Sequence, residues 1–132
     1  MRRISFRAKN LNGEWVYGFY VEEERQTPKG FEKKHFIVND GYSIIIPETV
    51  GQHTGLIDRN GSRIYEGDIL LFHEEVKLVV GYEESHLACF SLLRPYDLSF
   101  FSTFGSGSFE SFYSKKIGNI HDNPDFLKGG DQ

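Results

Sequence analysis

A single cysteine, Cys89, is all the chain has for sulfur chemistry. No intrachain disulfide can form, and nothing calls for an oxidising compartment. Cys89 lies in the apolar run Leu87-Ala88-Cys89-Phe90, where it is expected to be a buried small hydrophobe. Long hydrophobic runs are missing too. None approaches the ~18 apolar residues of a membrane-spanning helix, and Met1-Arg2-Arg3-Ile4-Ser5-Phe6 carries no apolar core behind its two charges. The expectation is a cytoplasmic protein with no membrane partner. Basic blocks are absent as well: the net charge is −4, so the chain as a whole does not attract polyanions. That argues against nucleic acid as a partner, although fifteen Lys and Arg leave room for a basic stripe on one face. No internal repeat and no low-complexity tract is evident.

What the sequence does contain is aromatic. Twelve Phe and seven Tyr favour strands and large cross-strand contacts over helices, and fourteen Gly supply turns. At 132 residues the chain fits one domain, or two very small subdomains.

The chain reads as short strands. Ile4-Ser5-Phe6-Arg7-Ala8 alternates apolar and polar residues, Asn12-Gly13 marks a two-residue turn, and residues 14–21 return as the second arm of a hairpin. Residues 22–34 are charged and contain Thr27-Pro28-Lys29-Gly30, which reads as a solvated loop. Residues 35–38 and 42–46 read as strands, the second ended by Pro47, which cannot donate to a ladder. Residues 48–61 are polar and Gly-spaced, with a tight turn at Asn60-Gly61. A new sheet is expected from residues 64–72, and Gly67-Asp68 before an apolar run resembles the entry to the first long strand of SH3-like barrels. Residues 76–82, 87–93 and 116–120 read as further strands, with a turn at Glu83-Glu84-Ser85. Residues 95–112 fit either strands or a packed apolar loop. Asn123 as cap and Pro124 at the first position suggest one helical turn, and residues 129–132 read as a frayed end. The expected fold is mainly β: an N-terminal antiparallel sheet over residues 1–61 joined to a C-terminal SH3-like small barrel over residues 62–132.

The stretch Ile46-Pro47-Glu48-Thr49-Val50-Gly51-Gln52-His53-Thr54-Gly55-Leu56-Ile57-Asp58-Arg59-Asn60-Gly61-Ser62-Arg63-Ile64-Tyr65-Glu66-Gly67-Asp68-Ile69 resembles the signature of the YopX family. Ile4-Ser5-Phe6-Arg7-Ala8, Trp15-Val16-Tyr17-Gly18 and Ile117-Gly118-Asn119-Ile120-His121-Asp122-Asn123-Pro124 match in order around it. The resemblance implies a mainly-β fold and phage or prophage biology in a bacterial host. It implies no established activity, so no catalytic residue is carried over. One departure is His53, where the family pattern has an aromatic Tyr or Phe, which suits packing or stacking better than catalysis.

Read for chemistry, the chain offers little. His35, His53, His73, His86 and His121 show no metal-binding spacing, and Cys89 has no C-x-x-C company. Ser106 in Gly105-Ser106-Gly107 lacks the full nucleophile-elbow pattern. Gly51-Gln52-His53-Thr54-Gly55 lacks the Lys-Ser/Thr follower of a phosphate loop. No catalytic, metal or cofactor-binding residue is assigned and no cofactor is expected. The remaining candidate is a polar cluster of Glu48, Gln52, Thr54, Asp58, Glu66 and Asp68, which could run acid/base or Mg²⁺ chemistry. Short polar residues beside glycine also build turns, and that reading is preferred. The leading expectation is a non-enzymatic accessory protein that self-associates through apolar contacts from residues 95–112, with a host or phage protein as a further partner. A nucleic-acid-binding module and a hydrolase or metal enzyme are the alternatives.

Overall fold

The structure, a computed structural model, describes residues 5–83, 89–104 and 113–127. The chain is mainly β and divides into two compact units, Met1–Gln52 and His53–Gln132. The division falls within a strand, whereas the sequence suggested the Asn60-Gly61 turn. The expected Glu84-Ser85 turn, His86, Gly105-Ser106-Gly107, Phe109, Phe112 and the frayed residues 129–132 lie outside the described residues.

The first unit is an antiparallel meander of β1 (Phe6–Lys9), β2 (Trp15–Thr27), β3 (Gly30–Val38) and β4 (Tyr42–Ile44) in the order β4-β3-β2-β1. Alternation puts Val16 and Tyr20 of β2 on the face that carries Ala8 and Ile37, both fully buried, and with Phe6, Ile45 and Val50 they form the unit's core. A 3-10 turn, Pro47–Thr49, leads into β5 (Gly51–Ile57), whose first two residues pair with Phe6 and Arg7.

One expectation fails here. Residues 22–34 are not a solvated loop: β2 and β3 continue through them as a ribbon, with Glu23 opposite Lys34, Glu24 opposite Lys33 and Arg25 opposite Glu32. Opposite charges across an antiparallel pair stabilise it by a few tenths of a kcal/mol to about 1 kcal/mol each. Thr27 Oγ1 closes the tip by donating to the Gly30 carbonyl at 3.0 Å. Charge alone signals solvent; the pairing of opposite signs across two segments is what makes this stretch a ribbon.

In the second unit the rest of β5 pairs with β6 (Arg63–Tyr65). β7 (Asp68–Phe72), β8 (Val76–Glu83), β9 (Cys89–Leu93), β10 (Phe100–Thr103) and β11 (Ser114–Asn119) form a second antiparallel sheet in the order β10-β9-β8-β7-β11. Its core is Ile64, Leu70, Phe72, Leu78, Val80, Leu92 and Phe104. Among the described residues β10 pairs only with β9 and β11 only with β7. No ladder therefore joins the two edges, and the described residues form an open sheet in place of the expected SH3-like barrel. Residues 64 and 65 also belong with β5 and not with the new sheet, which begins after the Gly67 turn. Cys89 is half-buried and its thiol is free.

Candidate functional site

The six polar candidates divide between the units. Glu48 is exposed in the Pro47–Thr49 turn and Gln52 ends the first unit, whereas Thr54, Asp58, Glu66 and Asp68 belong to the second. Three of those four are buried, and each is engaged with backbone. Thr54 Oγ1 donates to the Ile64 carbonyl at 2.9 Å and accepts the Leu56 N–H at 3.1 Å, fastening β5 to β6 where their register slips.

Asp58 is 4% exposed and uses both carboxylate oxygens. Oδ1 accepts the N–H groups of Asn60 (2.9 Å) and Ser62 (2.8 Å), closing the Asn60-Gly61 turn, and Oδ2 accepts the Lys116 N–H at 2.9 Å from β11. Burial by itself raises this carboxyl, but the N–H donors of Lys116, Ser62 and Asn60, joined by the Lys116 charge, outweigh it and hold it below its ordinary 3.8.

Asp68 is fully buried, and its Oδ2 accepts the Tyr65 N–H at 2.7 Å across the Gly67 turn. The counter-charge is Lys116 Nζ, 3.4 Å from that oxygen, which also donates to the Arg63 carbonyl at 2.6 Å. Lys116 therefore links Asp58 through its backbone to Asp68 through its side chain. Two buried acids require a cation, and the one that serves, Lys116, immediately precedes the closing motif and carries no local sign of the role.

The Gly67 turn itself joins three strands. Gly67 has φ +90°, a conformation costly for other residues. Its N–H donates to the Val80 carbonyl at 2.8 Å, and its own carbonyl accepts the Ile120 N–H at 2.9 Å. Ile120 lies in a polar lock built on two asparagines. Asn119 Oδ1 accepts the N–H groups of His121 and Asp122, both at 2.9 Å, while Asn123 Oδ1 accepts that of Asn119 at 3.1 Å. A Cβ on Gly118 would collide with this Asn123 amide, so the motif's glycine is a close-approach position.

The central signature and the closing motif, which lie far apart in sequence, thus form one structural junction. A model of the YopX protein family matches residues 5–128. The chain belongs to the YopX family. The YopX match covers the strands of both units and the junction between signature and closing motif. Among solved structures, the chain is similar to protein EF1440 from Enterococcus faecalis, at 22% identity and a TM-score of 0.51, over 97% of this chain and 100% of that one. At that identity the likeness concerns the fold. No curated protein matches the sequence.

Three of the described histidines each rest on a tyrosine. His35 stacks on Tyr20 (centroids 6.0 Å), His53 leans on Tyr65 (5.1 Å) and His73 stacks on Tyr113 (5.4 Å). His53 thus occupies the family's aromatic position as an aromatic would, against the residue opposite it in the ladder. Among the described residues no group of three or more His, Cys, Asp or Glu is placed to hold a metal ion. Among the described residues no helix is long and apolar enough to cross a membrane.

One polar group outside the signature is notable. Tyr20 OH donates to Glu22 Oε2 at 3.0 Å and lies 2.7 Å from His35 Nδ1, which then acts as donor to the phenol oxygen. Burial, reinforced by the hydrogen bond to Glu22 and its charge, pushes the Tyr20 hydroxyl up to about 12. A phenol held neutral in this way anchors β2 to β3 and is a poor nucleophile.

Proposed function

We propose that this YopX-family chain is a phage- or prophage-encoded accessory protein that acts in the cytoplasm of the bacterial host by self-association and by binding a host or phage protein, without enzymatic activity of its own. The observation that carries the proposal is the use made of the buried candidate acids. Asp58 and Asp68 hold backbone N–H groups and share one lysine, which leaves them building turns. Large apolar side chains are meanwhile exposed on strands of both units: Phe19, Tyr42 and Ile44 in the first, Phe100 and Phe101 in the second. Exposed apolar surface on strands is stabilised by a partner, and a second copy is the simplest one.

Light scattering on the full chain at micromolar concentration tests this reading. More than one chain per particle is the expected result. A monomer would defeat the self-association, and turnover of any substrate abolished by Asp68→Asn in a folded variant would reopen the enzymatic alternative.

A further inference from the structure

In the first unit, β2 and β3 present one face to the core and the opposite face outward. The outward face is ordered in rows set by the ladder: Phe19 beside Val38, Val21 beside Phe36, Glu23 beside Lys34 and Arg25 beside Glu32. Tyr42 and Ile44 of β4 extend the first two rows, opposite Val38 and Phe36 respectively. Phe19 is 62% exposed, Tyr42 75%, Ile44 45% and Val21 38%, in contrast to the fully buried Ile37 on the other face; Phe36, edge-on to Tyr42, is the buried member of the outward rows. At about 200 Å² for an aromatic side chain, these four expose on the order of 400 Å². A patch of that size is often functional, and it is about half of what each partner of a standard interface buries. The two charged rows supply the polar margin.

We propose that this face is the interface with a second copy of the chain, packed across a two-fold axis running along the hairpin between β2 and β3. The proposal rests on the self-association just described and identifies its surface. Rotation about such an axis exchanges the two strands and leaves each row at its own level. Three rows pair unlike members that can meet their complements: Glu23 faces the second copy's lysine, Arg25 faces its glutamate and Phe19 meets a valine, while Val21 packs over a row whose Phe36 is already buried in its own sheet. Charge and size complementarity therefore follow from one register. Two sheets packed in this way lie nearly aligned with side chains interdigitating, as in a β-sandwich.

A second observation points the same way. β1 pairs with β2 only along Trp15–Gly18, and β4 pairs with β3 only along Phe36–Val38. Beyond those rows, and past the Ile45 N–H that donates to the His35 carbonyl, the ribbon of Glu23–Thr27 against Gly30–Lys34 pairs only within itself among the described residues. Two-stranded ribbons are marginal in water, and a facing copy supplies the missing layer. Of the described aromatic residues in the 95–104 stretch, Phe104 lies in the second unit's core.

Sedimentation velocity on the full chain and its variants tests the proposal, with circular dichroism to confirm folding. The parent is expected to dimerise. Phe19→Asp, Glu23→Lys and Lys34→Glu should each weaken self-association at least about tenfold. An equimolar mixture of the Glu23→Lys and Lys34→Glu proteins should recover the dimer, because one then offers two cations where the other offers two anions. Damage confined to the hairpin of one chain would not be repaired by mixing. A monomeric parent would overturn both this interface and the self-association reading. A parent dimer indifferent to all three variants would leave self-association standing and remove this face. Separate monomeric variants that fail to associate when mixed would overturn the two-fold register.

Discussion

Asp58 shows how one side chain organises a loop. A buried carboxylate with three backbone donors is stabilised in its charged form, so protonation must be driven from outside. Its folded-state value lies below the ordinary 3.8, so its contribution is fully present above that value and is lost as pH falls through the lower folded one. Asp58→Asn keeps the size but changes an acceptor into a donor on one side. We expect it to destabilise the protein near neutrality by roughly 1–3 kcal/mol and to flatten the acid limb of the stability curve below about pH 4. Urea titrations of parent and variant across that range measure both effects; parallel acid limbs would show that Asp58 is not the titrating anchor. The sequence marked Asp58 and Asp68 as turn builders from their glycine neighbours, but not Lys116, because a partner supplied from a distant strand leaves no local pattern.

At the level of elements, the strands were legible where apolar residues alternate, and illegible where alternation is carried by charge. β8 and β11 could be placed from sequence within a residue or two of their observed bounds. The ribbon of residues 22–34 was missed because its pattern lies in the pairing of two segments and not in either alone. The Gly67 junction combines both kinds of information. Its need for glycine is local, whereas its bonds to Val80 and Ile120 are not. Gly67→Val should therefore lower stability by roughly 1–3 kcal/mol, the usual range for a strained backbone position. His53→Phe should leave the melt nearly unchanged, since a phenyl ring can rest on Tyr65 as the imidazole does. Thermal melts of the two variants side by side decide the matter: a Gly67→Val protein melting like the parent would mean that the junction does not hold the strands.

The whole molecule is acidic, and several of its described cations are committed to ion pairs. Lys33 pairs with Glu22, Arg25 with Glu23, Lys34 with Glu32, and Arg59 with Glu74. Exposed pairs of this kind add little stability, but they neutralise the positive charge that a polyphosphate would need. We expect no tight, salt-resistant binding to random-sequence DNA or RNA, measured by fluorescence anisotropy at physiological salt; micromolar affinity there would put a nucleic-acid role ahead of self-association. That the second sheet stays open was the least legible feature at this scale, because an apolar strand run specifies a sheet but not whether its edges meet.

The positions of β7 and β11 also bear on the order in which the chain can be built. In the first unit, β1 to β4 are joined by successive hairpins, so each strand finds its partner among the residues made just before it. In the second unit, β7 waits for β11, and the carbonyl of Gly67 waits for the N–H of Ile120. During synthesis the first meander can therefore assemble while the ribosome is still translating, whereas one edge of β7 stays bare until most of the second half has emerged. Over that interval the nascent chain carries an apolar strand with an open side, and this is the stage at which a chaperone, or a wrong partner, would find it.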